Sequence, residues 1–265
     1  MKLLILLLLA LFNSALLSSI DSVTVYDRLG PYVWESPKFR VLKLGERVAE
    51  KEEVDPDWLA MNLAEAEFDL TKRGKQLFEL RFPLFRQAEL SKLAEAIRVI
   101  FADLEYFPIP KPTNPAVPDI TYADGWMAER TYGGVRGHEG CDLMGDQMPA
   151  GTYPVVSVTD GVVEQIGWLP KGGWRVGIRA PSGAYFYYAH LSGYGGDLKK
   201  GDPVKAGEIL GFLGDSGYGE EGTTGQFPAH LHLGIYIATD HYEELSVNPY
   251  WVLKYLEKRR LAYRY

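Results

Sequence analysis

His230-Leu231-His232 sets two imidazoles one residue apart inside an apolar, strand-like run, FPAHLHLGIY at residues 227–236. Side chains on a strand alternate between faces, so Leu231, Leu233, Ile235 and Ile237 share one face, and His230, His232, Gly234 and Tyr236 share the other. The first face is apolar and reads as core. The second opens onto something polar. Two neighbouring imidazoles can converge on a metal ion, or one can bind metal while the other moves protons. Taken alone, the spacing is explained equally well by two satisfied or exposed histidines.

All five histidines fall in the C-terminal half. His138 lies in RGHEGCDLMG, with Asp142 four residues on and Gly137, Gly140 and Gly145 punctuating a loop. His190 ends the strand-like AYFYYAH and by alternation shares a face with Tyr188 and Phe186. His241, in the polar stretch TDHYEE, has no partner motif and reads as an exposed loop residue. A neutral imidazole nitrogen suits Zn²⁺, and a carboxylate can complete the shell. A catalytic zinc site takes three protein ligands and leaves one position for water. His138, Asp142 and one histidine of the pair would supply that set.

These residues need elements to hold them. The chain has 265 residues, 46% of them hydrophobic, enough for one large domain or two small ones. Net charge is −7 and no basic run stands out, which excludes the electrostatic footprint of a nucleic-acid binder. Residues 1–20, MKLLILLLLALFNSALLSSI, have a charged start and a short apolar run, the pattern of an export signal. Extension through Ala15 to Ile20 into an uncleaved membrane anchor is the alternative. Cys141 is the single cysteine, so the chain folds without an intrachain disulfide. Alternation turns it away from Asp142, as a small buried residue.

Residues 21–107 read as mostly helical. Asp55-Pro56 is a helix start, and Leu93, Ile97, Ile100, Phe101 and Leu104 recur at helical spacing as a packing stripe. Residues 108–118 hold Pro108, Pro110, Pro112, Pro115 and Pro118, which forbid regular helix and favour an extended linker. From 119 to 265 short β-rich runs alternate with Gly, Asp and Pro turns. The expected architecture is a mainly β domain, a compact antiparallel barrel or sandwich, preceded by the helical region and closed by a short C-terminal helix.

His138-x-Gly-x-Asp142, Tyr188-x-His190-Leu191 and His230-Leu-His232, in that order, resemble the signature of the lysostaphin/LytM-type zinc metallopeptidases, the murein endopeptidase family. Asp160-Gly161-Val162-Val163, Lys200 to Gly207, Gly214-Asp215-Ser216-Gly217 and Val247-Asn248-Pro249 extend the resemblance over about residues 119–250. It implies that His138, Asp142 and His232 bind one Zn²⁺, and that His190 and His230 are catalytic. It also implies a peptidoglycan peptide as substrate and an extracytoplasmic place in a bacterium. His230, beside ligand His232 on the same face, is favoured as general base.

Some positions depart from the pattern. Pro228-Ala229 precede the histidine pair where the family often has Gly-Pro, and Leu233-Gly234 follow where it has Phe-Glu. The loop GYGEEGTTGQF, with Glu220 and Glu221, is long and reads as solvated. Trp168, Trp174, Tyr185 and Tyr187 read first as core or cross-strand residues and only second as a groove lining. Two rival functions differ in what they leave unexplained. A non-catalytic or regulatory cell-wall-binding module of the same fold would not need His190 or His230. A lipoyl-type carrier barrel would need a lysine at a hairpin tip, and none is flanked that way.

Overall fold

In the computed structural model, residues 9–13, 29–72 and 88–265 are described. Most of the N-terminal apolar run, on which the export or anchor reading rests, lies outside them. Among the described residues no helix is long and apolar enough to cross a membrane.

The helical part comprises α1 (Pro37–Arg40), α2 (Glu46–Ala49), α3 (Pro56–Glu65) and α4 (Ala88–Phe101). Asp55 caps α3 as its sequence predicts: the carboxylate accepts from the Asp57 and Trp58 backbone N–H groups, and Pro56 occupies the first turn. On α4, Leu93, Ile97, Ile100 and Phe101 are buried, with Leu104 just beyond the helix end. Each such side chain contributes about 1.5–3 kcal/mol when fully removed from water.

The remainder is β structure. Short strands β1 (Lys111–Pro112), β2 (Thr121–Tyr122), β3 (Glu129–Arg130) and β4 (Arg136–Gly137) come first. They are followed by β5 (Cys141–Met144), β6 (Pro154–Val156), β7 (Gly161–Leu169), β8 (Gly173–Arg179) and β9 (Tyr185–Tyr194). The last are β10 (Pro203–Val204), β11 (Ile209–Leu213), β12 (His230–Ile237), β13 (Leu245–Val247) and β14 (Ala262–Tyr263), with α5 (Tyr250–Leu256) before β14. A ten-stranded antiparallel sheet runs β10-β7-β8-β9-β12-β5-β2; β13 joins β12, and β11 joins both β9 and β6. The fold is thus a mainly antiparallel β domain with helices N-terminal to it. Of the proline-rich segment only β1 is strand, pairing in parallel with β14; beyond it the chain turns, with the Val117 N–H donating to the Asn114 carbonyl at 3.1 Å.

Leu231, Leu233, Ile235 and Ile237 of β12 are buried, as alternation requires. They join one continuous hydrophobic cluster with Phe186 and Tyr188 of β9 and with the buried faces of α3 and α4. Arg40 ties the helical part to the sheet domain: its guanidinium donates to the Ser246 carbonyl (2.9 Å) and pairs with Glu139 (2.6 Å). Inside the core the Tyr188 hydroxyl accepts from the Val158 N–H at 3.0 Å. Tyr188→Phe would leave that buried donor unsatisfied, so chemical denaturation should find stability lowered by about 1–3 kcal/mol.

Candidate active site and metal centre

β12 is flanked by β5 and β9, and this fixes which side chains meet. His232 pairs with Asp142 on one side and Ala189 on the other, while Gly234 faces Tyr187 and Tyr236 faces Tyr185. Directly paired residues share a face, so Asp142, His232, Tyr187, Tyr185 and Tyr236 rise on the same side. RGHEGCDLMG is therefore not simply a glycine-punctuated loop. From Cys141 onward it is a strand, because backbone pairing to β12 overrides the local glycines. That pairing carries Asp142 to the histidine pair. Cys141 points into the core, fully buried, as expected.

His138 Nε2, Asp142 Oδ1 and His232 Nδ1 form a near-equilateral triangle. The separations are 2.9 Å between the two nitrogens and 3.0 Å from each nitrogen to the carboxylate oxygen. The His138 ring is buried, and its Nδ1 donates to the Gly125 carbonyl at 3.2 Å. Since a carbonyl can only accept, Nδ1 carries the proton and Nε2 offers a lone pair. With His232 Nδ1 also unprotonated, three acceptor atoms this close repel one another unless they share a cation. An N, N, O set with edges of about 3 Å is compatible with Zn–ligand distances of about 2.0–2.2 Å. The donor set thus fits zinc, and three ligands leave a fourth position.

Close packing holds the geometry. A Cβ added at Gly140 would lie 2.3 Å from the His232 ring, so only glycine leaves room for it. Burial would raise the Asp142 carboxyl, but the neighbouring His138 and His232 nitrogens outweigh that effect and hold it well below the usual carboxylate range. His232 itself is lowered by burial.

His190 and His230 complete the cluster by a shared device. His190 Nδ1 donates to the Ser216 carbonyl at 2.8 Å, and His230 Nδ1 donates to the Pro228 carbonyl at 2.7 Å. In the neutral form of each ring Nε2 then carries the lone pair. The two rings lie 4.7 Å apart between centroids, and His230 Nε2 is 3.7 Å from Asp142 Oδ1. Burial first, and then the neighbouring His230, lower His190 to about 3, so it rests neutral.

His190 does not follow the alternation read from its sequence. That pattern puts it with Phe186 and Tyr188, which are in the core. Instead β9 runs one residue longer than β8 between the pairs Trp174↔Leu191 and Val176↔Tyr188, a bulge. His190 there adopts φ 63°, a left-handed conformation that non-glycine residues seldom take. The bulge turns the imidazole out of the core to the same side as His232. Ser216 anchors the arrangement: its hydroxyl donates to the Leu191 carbonyl (2.6 Å) and accepts from the Trp174 N–H (3.0 Å).

The cluster lies in a cleft of about 760 Å³. Tyr185 and Tyr187 line it, while Trp168 and Trp174 pack edge-to-face on each other at 5.3 Å. The loop after Gly217 does more than face solvent. Glu220 and Glu221 are exposed, but Tyr218 and Phe227 form part of the wall, and Tyr218 stacks on Tyr132 at 4.1 Å. Gly234 makes room for the Tyr236 ring, which a Cβ there would meet at 2.8 Å. His241 is exposed as read, yet it has a partner: its Nδ1 lies 2.9 Å from Glu35 of the helical part.

One residue that spacing did not disclose is Arg130. It sits on β3 and donates to Asp142 Oδ2 at 2.7 Å, turning Oδ1 to the triangle. No sequence motif marks it, because the contact depends on the β3–β4 ribbon folding over the site. Arg130→Ala should weaken metal affinity about 10–100-fold, read by competition with a chelator.

A sheet domain that presents two histidines and an aspartate at metal-binding distance, with two more oriented histidines beside them, defines a metallopeptidase-type centre. Residues 136–249 match Peptidase family M23. The crystal structure of a Ruminococcus gnavus ATCC 29149 protein, described as a candidate glycyl-glycine endopeptidase lytM, is 43% identical with a TM-score of 0.75. That match covers 91% of this chain and 98% of the other. The chain belongs to Peptidase family M23. It is also 40% identical over 171 residues to the L-Ala--D-Glu endopeptidase of Bacillus subtilis (strain 168), covering 64% of this chain and 49% of that one. Lysostaphin of Staphylococcus simulans is 39% identical over 83 residues, 31% of this chain and 16% of its own. The chain thus spans about half the length of the Bacillus relative.

Proposed function

We propose that this chain is an exported, zinc-dependent endopeptidase that hydrolyses peptide bonds in the stem peptide or cross-bridge of bacterial peptidoglycan. The observation that carries the reading is the ligand triangle of His138, Asp142 and His232 with the Nε2 sides of His190 and His230 left free beside it. The names of the relatives, L-Ala--D-Glu endopeptidase and lysostaphin, support a cell-wall peptide as substrate. The division into a signal at 1–20, a helical region at 21–107, a linker at 108–118 and a peptidase domain at 119–265 belongs to the same proposal.

One Zn²⁺ held by His138, Asp142 and His232 would lower the pKa of a bound water toward 7 and polarise the scissile carbonyl. The residues around it do the rest. His230, its Nδ1 proton committed to Pro228, takes the water's proton at Nε2. His190, held by the Ser216 carbonyl from the loop after β11, presents its Nε2 lone pair to the N–H of the leaving amine, and the proton taken up by His230 passes to that amine. Arg130 keeps Asp142 turned toward the ligand position. A non-catalytic wall-binding module would gain nothing from a strained backbone at His190.

The test is zinc content together with mass analysis of peptidoglycan digested by the purified protein and by His230→Ala. About one zinc per chain, with new amines released by the wild type only, supports the enzyme. Bound zinc without cleavage of varied wall preparations would sink it.

A further inference from the structure

The cleft carries more positive charge than its own carboxylates use. Each acid lining it already has a guanidinium: Asp142 has Arg130, Glu139 has Arg40 and Glu244 has Arg179. Arg136 and Arg175 also line the cleft, half-buried, and neither has a carboxylate among the described residues. Arg136 Nε and Arg175 Nη1 are buried without any hydrogen-bond partner. Such a group costs free energy unless something supplies the missing acceptor. In a chain of net charge −7, two unpaired arginines in the catalytic cleft call for a ligand.

Tyr187 lines the same cleft, and its ring lies 6.0 Å from that of ligand His232. A guanidinium offers a planar fork of N–H donors matched to a carboxylate.

We propose that Arg136 and Arg175, in the cleft that also holds Tyr187, form a carboxylate-binding subsite next to the metal triad. The preferred substrate then carries a free carboxylate beside the scissile bond, which an uncharged glycine bridge lacks. The inference rests on the peptidase reading of the same site. The carboxylate is either one borne by an acidic residue next to the cleaved bond or the terminal carboxylate of a short peptide.

The experiment uses the full chain with four synthetic peptides containing L-alanyl-γ-D-glutamate. The glutamate α-carboxyl is free or amidated, and the C-terminus is free or amidated. Wild type should show about tenfold or higher kcat/KM for the free α-carboxylate whatever the C-terminus. A preference that follows the C-terminus instead supports the subsite with a chain end as its ligand. In R136Q/R175Q the ratio of free to amidated should fall toward one. R136K and R175K, which keep charge and lose the fork, should give intermediate ratios. Metal content reports that each variant is folded. Equal rates on all four peptides, or an unchanged ratio in the double variant, overturn the proposal. If no peptide is cleaved, this bond is not the one hydrolysed, digestion of wall preparations decides the peptidase reading, and calorimetric binding of the same peptides decides the subsite. About tenfold tighter binding of a free carboxylate supports it, and equal binding overturns it.

Discussion

His232→Ala is expected to remove both bound metal and peptidoglycan hydrolysis. The His232 Nδ1 sits 2.9 Å from His138 Nε2 and 3.0 Å from Asp142 Oδ1, so its loss opens one corner of a three-atom set. Loss of an outer-shell partner already costs about 10–100-fold in metal affinity, and loss of a direct ligand should exceed that. The fold should survive, because His232 is on the cleft face of β12 while Leu231 and Leu233 keep the core face filled. Metal analysis after dialysis, with circular dichroism as the check on folding, reads the result. A variant that kept one tightly bound zinc per chain would move the metal centre elsewhere.

His190→Ala should behave differently: metal retained, turnover reduced by about 10²–10⁴-fold, the range of a positioned acid–base group. The ring makes no contact with the ligand triangle shorter than 6.0 Å between centroids, so affinity for the ion has no direct reason to change. The substitution also places a small residue at φ 63°, an unfavourable conformation for alanine. A modest loss of stability is therefore expected alongside the kinetic effect, and melting temperature separates the two. Near-normal turnover with full metal content would remove His190 from the chemistry.

The two residues differ in how legible they were. His232 could be placed from the pattern alone. β12 has a period of two, one apolar face and one polar face, and strand geometry leaves no other solution. The helix start at Asp55 and the packing stripe of α4 were equally readable, because capping and periodicity are local. His190 could not be oriented by the same rule. Alternation assigns it to the core, and only a bulge forced by the mismatch between β8 and β9 turns it to the cleft. Asp142 was recognised by type and spacing, yet its strand was hidden by three nearby glycines and exists because β12 offers it a partner.

By itself, then, the sequence determined the candidate metal-ligand residue types, the β character of the domain that holds them and the helical character of the region before it. Those properties follow from residue chemistry and short-range periodicity. The tertiary structure decided which nitrogen of His138 and of His190 is free. That depends on carbonyls from distant segments, Gly125 for His138 and Ser216 for His190. It also decided that Arg130 would hold Asp142 and that Arg136 and Arg175 would line the cleft without a carboxylate partner among the described residues. A charge has no fixed partner until the chain closes around it, and no spacing in the sequence records that closure.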